Sequence, residues 1–163
     1  MKVFTAIFFI LVALTICDPK VSMPMDLKQF QWKNRLLFLF APDNNNPLFK
    51  NLQSELIAQK AEVKDRDLVV FEVLERGPSR MNTASIDRQV ADSIRDRFAI
   101  PHNTFSLILV GKDGSIKLNR QDRTHLQDVF DLIDAMPMPQ DEMRQKTRTR
   151  GAGEAEPKKS GRK

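Results

Sequence analysis

Cysteine occurs once in the 163 residues, as Cys17, and the rest of the chain is thiol-free. One cysteine cannot close an internal disulfide. Thiol–disulfide exchange and thiolate attack on peroxide both need a cysteine at the reacting position, so the body of this chain is excluded from that chemistry. Histidine is nearly as scarce, with only His102 and His125. No HxH or HxxxH spacing joins them, so no metal centre is expected, and no cofactor. GxSxG, phosphate-loop and Ser-His-Asp patterns are missing; no catalytic residue is assigned, the chain leans away from an enzyme without closing that question, and thiol–disulfide oxidoreductase or peroxidase activity is not expected. An excess of positive charge is also missing where a nucleic-acid face would need it. Of 26 Lys/Arg and 21 Asp/Glu, eight and two lie between Arg144 and Lys163, leaving 18 and 19 in the first 143 residues. The basic character belongs to a tail, and no nucleic acid is expected to bind through the folded part.

A long hydrophobic run is likewise lacking. Val3–Ile16 is interrupted only by Thr5 and Thr15, but it falls short of the roughly 20 residues of a membrane helix. After Met1-Lys2 it has the form of a signal-peptide core, so residues 1–17 read as a signal peptide and the product as exported, either secreted or periplasmic. Leu14-Thr15-Ile16-Cys17 resembles a bacterial lipobox, in which Cys17 would be lipidated, although Ile16 stands where Gly, Ala or Ser is usual. The alternative is simple cleavage near Cys17-Asp18. Both make Cys17 a processing residue outside the fold, and membrane contact is expected only through the signal segment or such an anchor.

Residues 18–26 carry two prolines and no periodicity, and read as a spacer. Residues 27–143 carry the domain. Leu36–Phe40 is a continuous apolar block of strand length, as in a strand buried on both faces. Asn44-Asn45-Asn46-Pro47 marks a helix start, with Asn at the cap and Pro in the first turn; Leu48, Leu52 and Leu56 with Phe49 and Ile57 form its stripe. Leu68–Leu74 is a second strand, so this βαβ unit should be right-handed and parallel. Residues 75–84 read as a loop and a second helix starts near Ser85, with Ile86, Val90, Ile94 and Phe98 four apart. Thr104–Gly111 is a third buried strand, Lys112-Asp113-Gly114 a tight turn, and Ser115–Asn119 an alternating antiparallel strand. A last helix opens at the capping box Thr124–Gln127 and ends before Pro137. Residues 144–163 read as a disordered basic tail. There is no internal repeat.

The order β-α-β-α-β-β-α, parallel and then hairpin, predicts an α/β thioredoxin-like fold with a central mixed sheet and helices on both faces. Several segments resemble the P-DUDES domain family: Trp32–Leu37, Ala41-Pro42, Val110–Gly114, Leu132–Met138 and Glu142–Arg144. The resemblance runs from about Leu27 to Arg144. It implies a peroxiredoxin-like domain of unknown function, shared by secreted bacterial proteins and animal extracellular-matrix proteins of the sushi-repeat type. It supplies no reaction and no catalytic residues.

Where a thioredoxin-like enzyme places its cysteine, at the start of the first helix, this chain has Asp43, Asn44, Asn45 and Asn46. Pro101 precedes the third strand, as the cis-proline of that fold does, and His102 follows it. These six residues are the candidate binding site. The expected role is a binding module for a protein or an extracellular polymer. One alternative is an enzyme of peroxiredoxin-like descent that uses Asp43 and His102 as a pair; another is a lipid-anchored envelope accessory protein. His125, in the first turn of a helix, reads as a surface residue.

Overall fold

A computed structural model describes residues 25–136. The expected signal peptide at 1–17, most of the spacer and the basic tail at 144–163 lie outside the described residues.

A 3-10 turn over Leu27–Phe30 leads into β1 (Arg35–Ala41), followed by α1 (Pro47–Ala58), α2 (Lys60–Asp65) and β2 (Leu68–Leu74). Next come β3 (Ser79–Met81), β4 (Ala84–Ile86), α3 (Arg88–Arg97), β5 (Ser106–Val110), β6 (Ile116–Arg120) and α4 (Leu126–Asp134). One six-stranded sheet has the order β4-β3-β2-β1-β5-β6. β1 and β2 are parallel; β1–β5 and β5–β6 are antiparallel. This is the expected mixed sheet, and every residue of β1 is buried because helices cover both faces. On one face Leu37, Leu39 and Leu107 pack under Phe49 and Leu52 of α1 and Val129 and Phe130 of α4. On the other, Phe38, Phe40, Phe71 and Ile108 pack under Ala91 and Ile94 of α3. Phe38 is central there, with ring centroids 4.7 Å from Phe71, 4.8 Å from Phe98 and 5.9 Å from Phe40. Among the described residues no helix is long and apolar enough to cross a membrane.

Two expectations need correction. The segment taken for a loop over 75–84 with a helix from Ser85 is instead the β3–β4 hairpin, and α3 begins at Arg88. Asn82 makes the turn possible: it takes a left-handed φ of 53°, which Asn tolerates better than most residues. Its backbone N–H donates to Val70 O, and its side-chain oxygen accepts from Val70 N. The α4 cap lies one residue later than the Thr124 box. Asp128 accepts from His125 N at 3.2 Å, and Glu55 of α1 accepts from Leu126 N at 2.6 Å. The isomer of Pro101, which the sequence leaves open, is trans, since the described residues contain no cis peptide bond.

The β5–β6 connection is built around Gly114, at φ 82°, after a turn closed by Gly114 N–H to Gly111 O at 2.9 Å. A side chain at Gly111 would meet Asp113 Oδ1 and Lys117 Cε at 2.7 Å, because that ion pair lies across it. The pairing register then slips by one residue: Leu109 faces Leu118, but Val110 faces Ile116. Lys117 is the extra residue of this bulge. It turns Ile116 to the α3 face while Leu118 stays on the α1/α4 face, so one alternating strand serves both.

Hydrogen bonds from Lys117 and Ser115 hold the Asp113 carboxyl well below its usual 3.8, at about 2. The folded pKa is the depressed one, so the contribution is complete above about pH 3.8 and is lost as the pH falls towards 2. Asp113 is exposed, and solvent screening limits the effect to about 1 kcal/mol or less. Asp113→Asn should lower neutral-pH stability by that amount and flatten the acid limb of the stability profile in urea titrations.

Candidate functional site

The parallel pairing of β1 and β2 brings Ala41 opposite Leu74, so the residues after both strands leave the sheet side by side. Antiparallel β5 begins at the same edge, with Ser106 opposite Phe40, which brings in the preceding loop 101–105. In α/β sheets this edge, at the carboxyl ends of parallel strands, is where ligand sites form. Two backbone bonds lock the first two loops together: Glu75 N–H to Ala41 O at 3.0 Å, and Arg76 N–H to Pro42 O at 2.8 Å.

The α1 N-terminus is satisfied by its own cap. Asn46 Oδ1 accepts from Leu48 N at 3.0 Å and from Phe49 N at 3.1 Å, as an N-cap asparagine should. Asp43 accepts from Asn45 N at 2.9 Å and pairs with Arg76 Nη2 at 3.0 Å. These bonds hold the Asp43 carboxyl below its usual range, the Arg76 bond contributing most. Lys50 Nζ donates to Asn45 Oδ1 at 3.2 Å, and Asn44 is exposed at the tip of the loop.

Asp43 and His102 do not pair with each other in the described hydrogen-bond network. His102 Nδ1 lies 3.0 Å from Glu75 Oε1, while Asp43 is held by Arg76. The two are linked only indirectly, because Arg76 Nη1 also donates to Asn103 Oδ1 at 2.9 Å, and Asn103 N–H donates to Glu75 Oε2 at 2.7 Å. This removes the geometry that a direct Asp43–His102 acid–base couple would use. Glu75 is the hub. Its carboxyl is held below the usual range chiefly by the Asn103 N–H and then by His102. Behind it sits Arg95, whose side chain is only 6% exposed. Arg95 Nη2 lies 3.8 Å from Glu75 Oε2 and donates to Pro101 O at 3.0 Å, and its guanidinium is 6.0 Å from the Phe40 ring. Burial pushes its pKa down. Its Nη1 is buried with no hydrogen-bond partner. Pro101 thus contributes a carbonyl to the site.

Glu75, Arg76, Arg95 and Asn103 complete the network and were not singled out from the sequence. Glu75-Arg76, directly after a buried strand and before Gly77-Pro78, was the signal available for two of them. Arg95 falls four residues after Ala91, inside the apolar stripe of α3, which marks a buried position. His125 is exposed and bonds Glu55 at 3.1 Å, far along the chain from this edge. Among the described residues no group of three or more His, Cys, Asp or Glu could hold a metal ion. The arrangement offers alternating charges and amides on a rigid edge, suited to polar recognition.

The profile of the DUF4174 family, a domain of unknown function, matches residues 26–142. The chain is 27% identical over 142 residues to coiled-coil domain-containing protein 80 of Danio rerio, covering 77% of this chain and 16% of that protein. It is 22% identical over 111 residues to the sushi repeat-containing protein SRPX2 of Xenopus laevis, covering 66% of this chain and 24% of that protein. The chain therefore spans less than a quarter of either relative's length. Among solved structures, the reduced 2-Cys peroxiredoxin of Plasmodium vivax superposes with a TM-score of 0.51 at 13% identity, over 68% of this chain and 82% of that one. Thioredoxin peroxidase I of Plasmodium yoelii gives 0.51 at 14% identity, over 85% and 87%. At such identities the likeness is one of fold: the domain is α/β and thioredoxin-like.

Proposed function

The chain belongs to the DUF4174 family, and from that premise we propose that it is an exported, redox-inactive thioredoxin-like module that binds a protein or an extracellular polymer. The observation that carries this reading is the start of α1. There Asn46 occupies the helix-end N–H groups of Leu48 and Phe49, and Asp43 is paired with Arg76. No thiol stands at the position where this fold places one, and the local donors are already taken. The edge is preorganised for contact with a polar surface and lacks a nucleophile. Export is supported by the apolar run after Lys2. The finer P-DUDES assignment, with its extracellular setting, is supported by the motifs quoted above and agrees with a sushi-repeat relative.

Two measurements on purified protein test the reading. Peroxide consumption and insulin-disulfide reduction should stay at background, equally in the natural protein and in Cys17→Ser. Retention on immobilised extracellular-matrix protein or polysaccharide should be lost on Arg76→Glu, which reverses the charge next to Asp43 while leaving the core untouched. Turnover that survives Cys17→Ser would refute the redox-inactive half, and unchanged retention of Arg76→Glu would refute this edge as the binding face. Mass spectrometry of the exported product separates a lipid on Cys17 from simple cleavage.

A further inference from the structure

At the opposite end of the sheet from the Glu75 network, a cleft of about 380 Å³ opens between the 3-10 turn, the end of α3 and the β5–β6 turn. That volume lies at the lower end of the roughly 300–1,000 Å³ of small-molecule sites. Its floor is apolar, made by Phe30, Leu36, Phe98 and Val110. One wall is Ile116, 54% exposed and turned to this face by the register slip at Lys117. The walls are tied to each other: Trp32 N–H donates to Lys112 O at 2.7 Å, and Gln31 Nε2 donates to Asp113 O at 3.0 Å.

The charges at the rim are of one effective sign. Lys28 and Arg97 line the cleft, both are exposed, and neither side chain has a partner among the described residues. The acid that also lines it, Asp113, is neutralised by Lys117 at 2.8 Å and bonded to Ser115 Oγ at 2.8 Å. A cleft with an oily floor and two unengaged cations at its mouth complements a molecule with an apolar body and one negative end. We propose that this cleft binds a small amphipathic monocarboxylate, its aliphatic or aromatic body on Phe30 and Phe98 and its carboxylate between Lys28 and Arg97. The site is separate from the polar edge proposed above and does not depend on it.

Calorimetric titration of purified protein with octanoate tests this, with 1-octanol and octyltrimethylammonium as neutral and cationic counterparts. Octanoate should bind saturably at one equivalent, and the other two should bind about tenfold or more weakly, the factor expected for losing a charge-assisted contact. Lys28→Glu with Arg97→Glu should weaken octanoate by about tenfold or more for the same reason, with circular dichroism unchanged since both positions are exposed. Ile116→Glu should do likewise by placing a like charge in the wall. No saturable octanoate binding, equal affinity for all three amphiphiles, or full affinity in the Lys28→Glu/Arg97→Glu protein would each overturn the proposal.

Discussion

Truncating Phe38 to alanine should cost about 3–5 kcal/mol, the range for removing a fully buried aromatic ring. The magnitude follows from its position. Phe38 is 0% exposed on the central strand, and its ring stacks on Phe71 and contacts Phe98 and Phe40. These neighbours come from β1, β2 and the end of α3, so they cannot collapse together into the void without moving a strand or a helix. Domains of this size are stable by about 5–15 kcal/mol in total, which makes the single change a large fraction of the whole. Urea unfolding should show a much lower midpoint with an unchanged slope. Ile57→Ala, at a position 60% exposed on α1, should stay within about 0.5 kcal/mol of the natural protein. A loss below 1 kcal/mol for Phe38→Ala would mean that the rings are not packed as described.

Replacing Arg95 by methionine should leave stability within about 1 kcal/mol of the natural protein, because removing a desolvated cation and its orphaned donor offsets the lost hydrogen bond to Pro101 O. Arg95 has a buried, unpartnered Nη1 and a 3.8 Å approach to Glu75 that is too long for a hydrogen bond. Methionine retains contact with Phe40 and removes the orphaned donor. Glu75 is not stranded by the change, since Asn103 N–H and His102 still bind it. The reverse substitution is unequal. Glu75→Gln leaves the Arg95 cation buried without its counter-ion and frees the 102–103 loop, so it should destabilise the protein clearly. Parallel thermal unfolding of the two variants reads the contrast, and a marked loss in Arg95→Met would show that the guanidinium is more fully satisfied than its contacts imply. If the polar edge is the binding face, Arg95→Met should also weaken retention on matrix by letting the Pro101 carbonyl and His102 move.

Much of the fold was legible because burial on both faces writes itself as unbroken hydrophobicity. Leu36–Phe40, Leu68–Leu74 and the 104–111 run each became a strand of the sheet. The Asn46-Pro47 start of α1 was equally plain, since capping is local chemistry. The β3–β4 hairpin was not, because three-residue strands are too short to show alternation and its Asn82-Thr83 turn lacks the usual glycine. The site was half legible. Asp43 to Asn46 and His102 were found through their place relative to strands. The asparagines bond locally, but the partners of Asp43 and His102 are 33 and 27 residues away along the chain, and no local pattern encodes that Arg76 reaches Asp43 or that Glu75 takes His102. Arg95 was missed because its place in the α3 stripe marks burial but not the Glu75 and Pro101 it meets there.

The register slip in β6 bears on how this domain behaves among copies of itself. A sheet has two outer strands whose free N–H and C=O groups can recruit another chain. On one side β4 spans only three residues, too short to template an intruding strand. On the other, β6 is kinked by the extra Lys117 and carries Arg120, so a straight strand laid along it would lose registry within a few residues and meet positive charge. The same irregularity that aims Ile116 into the cleft makes β6 a poor nucleus for open-ended stacking.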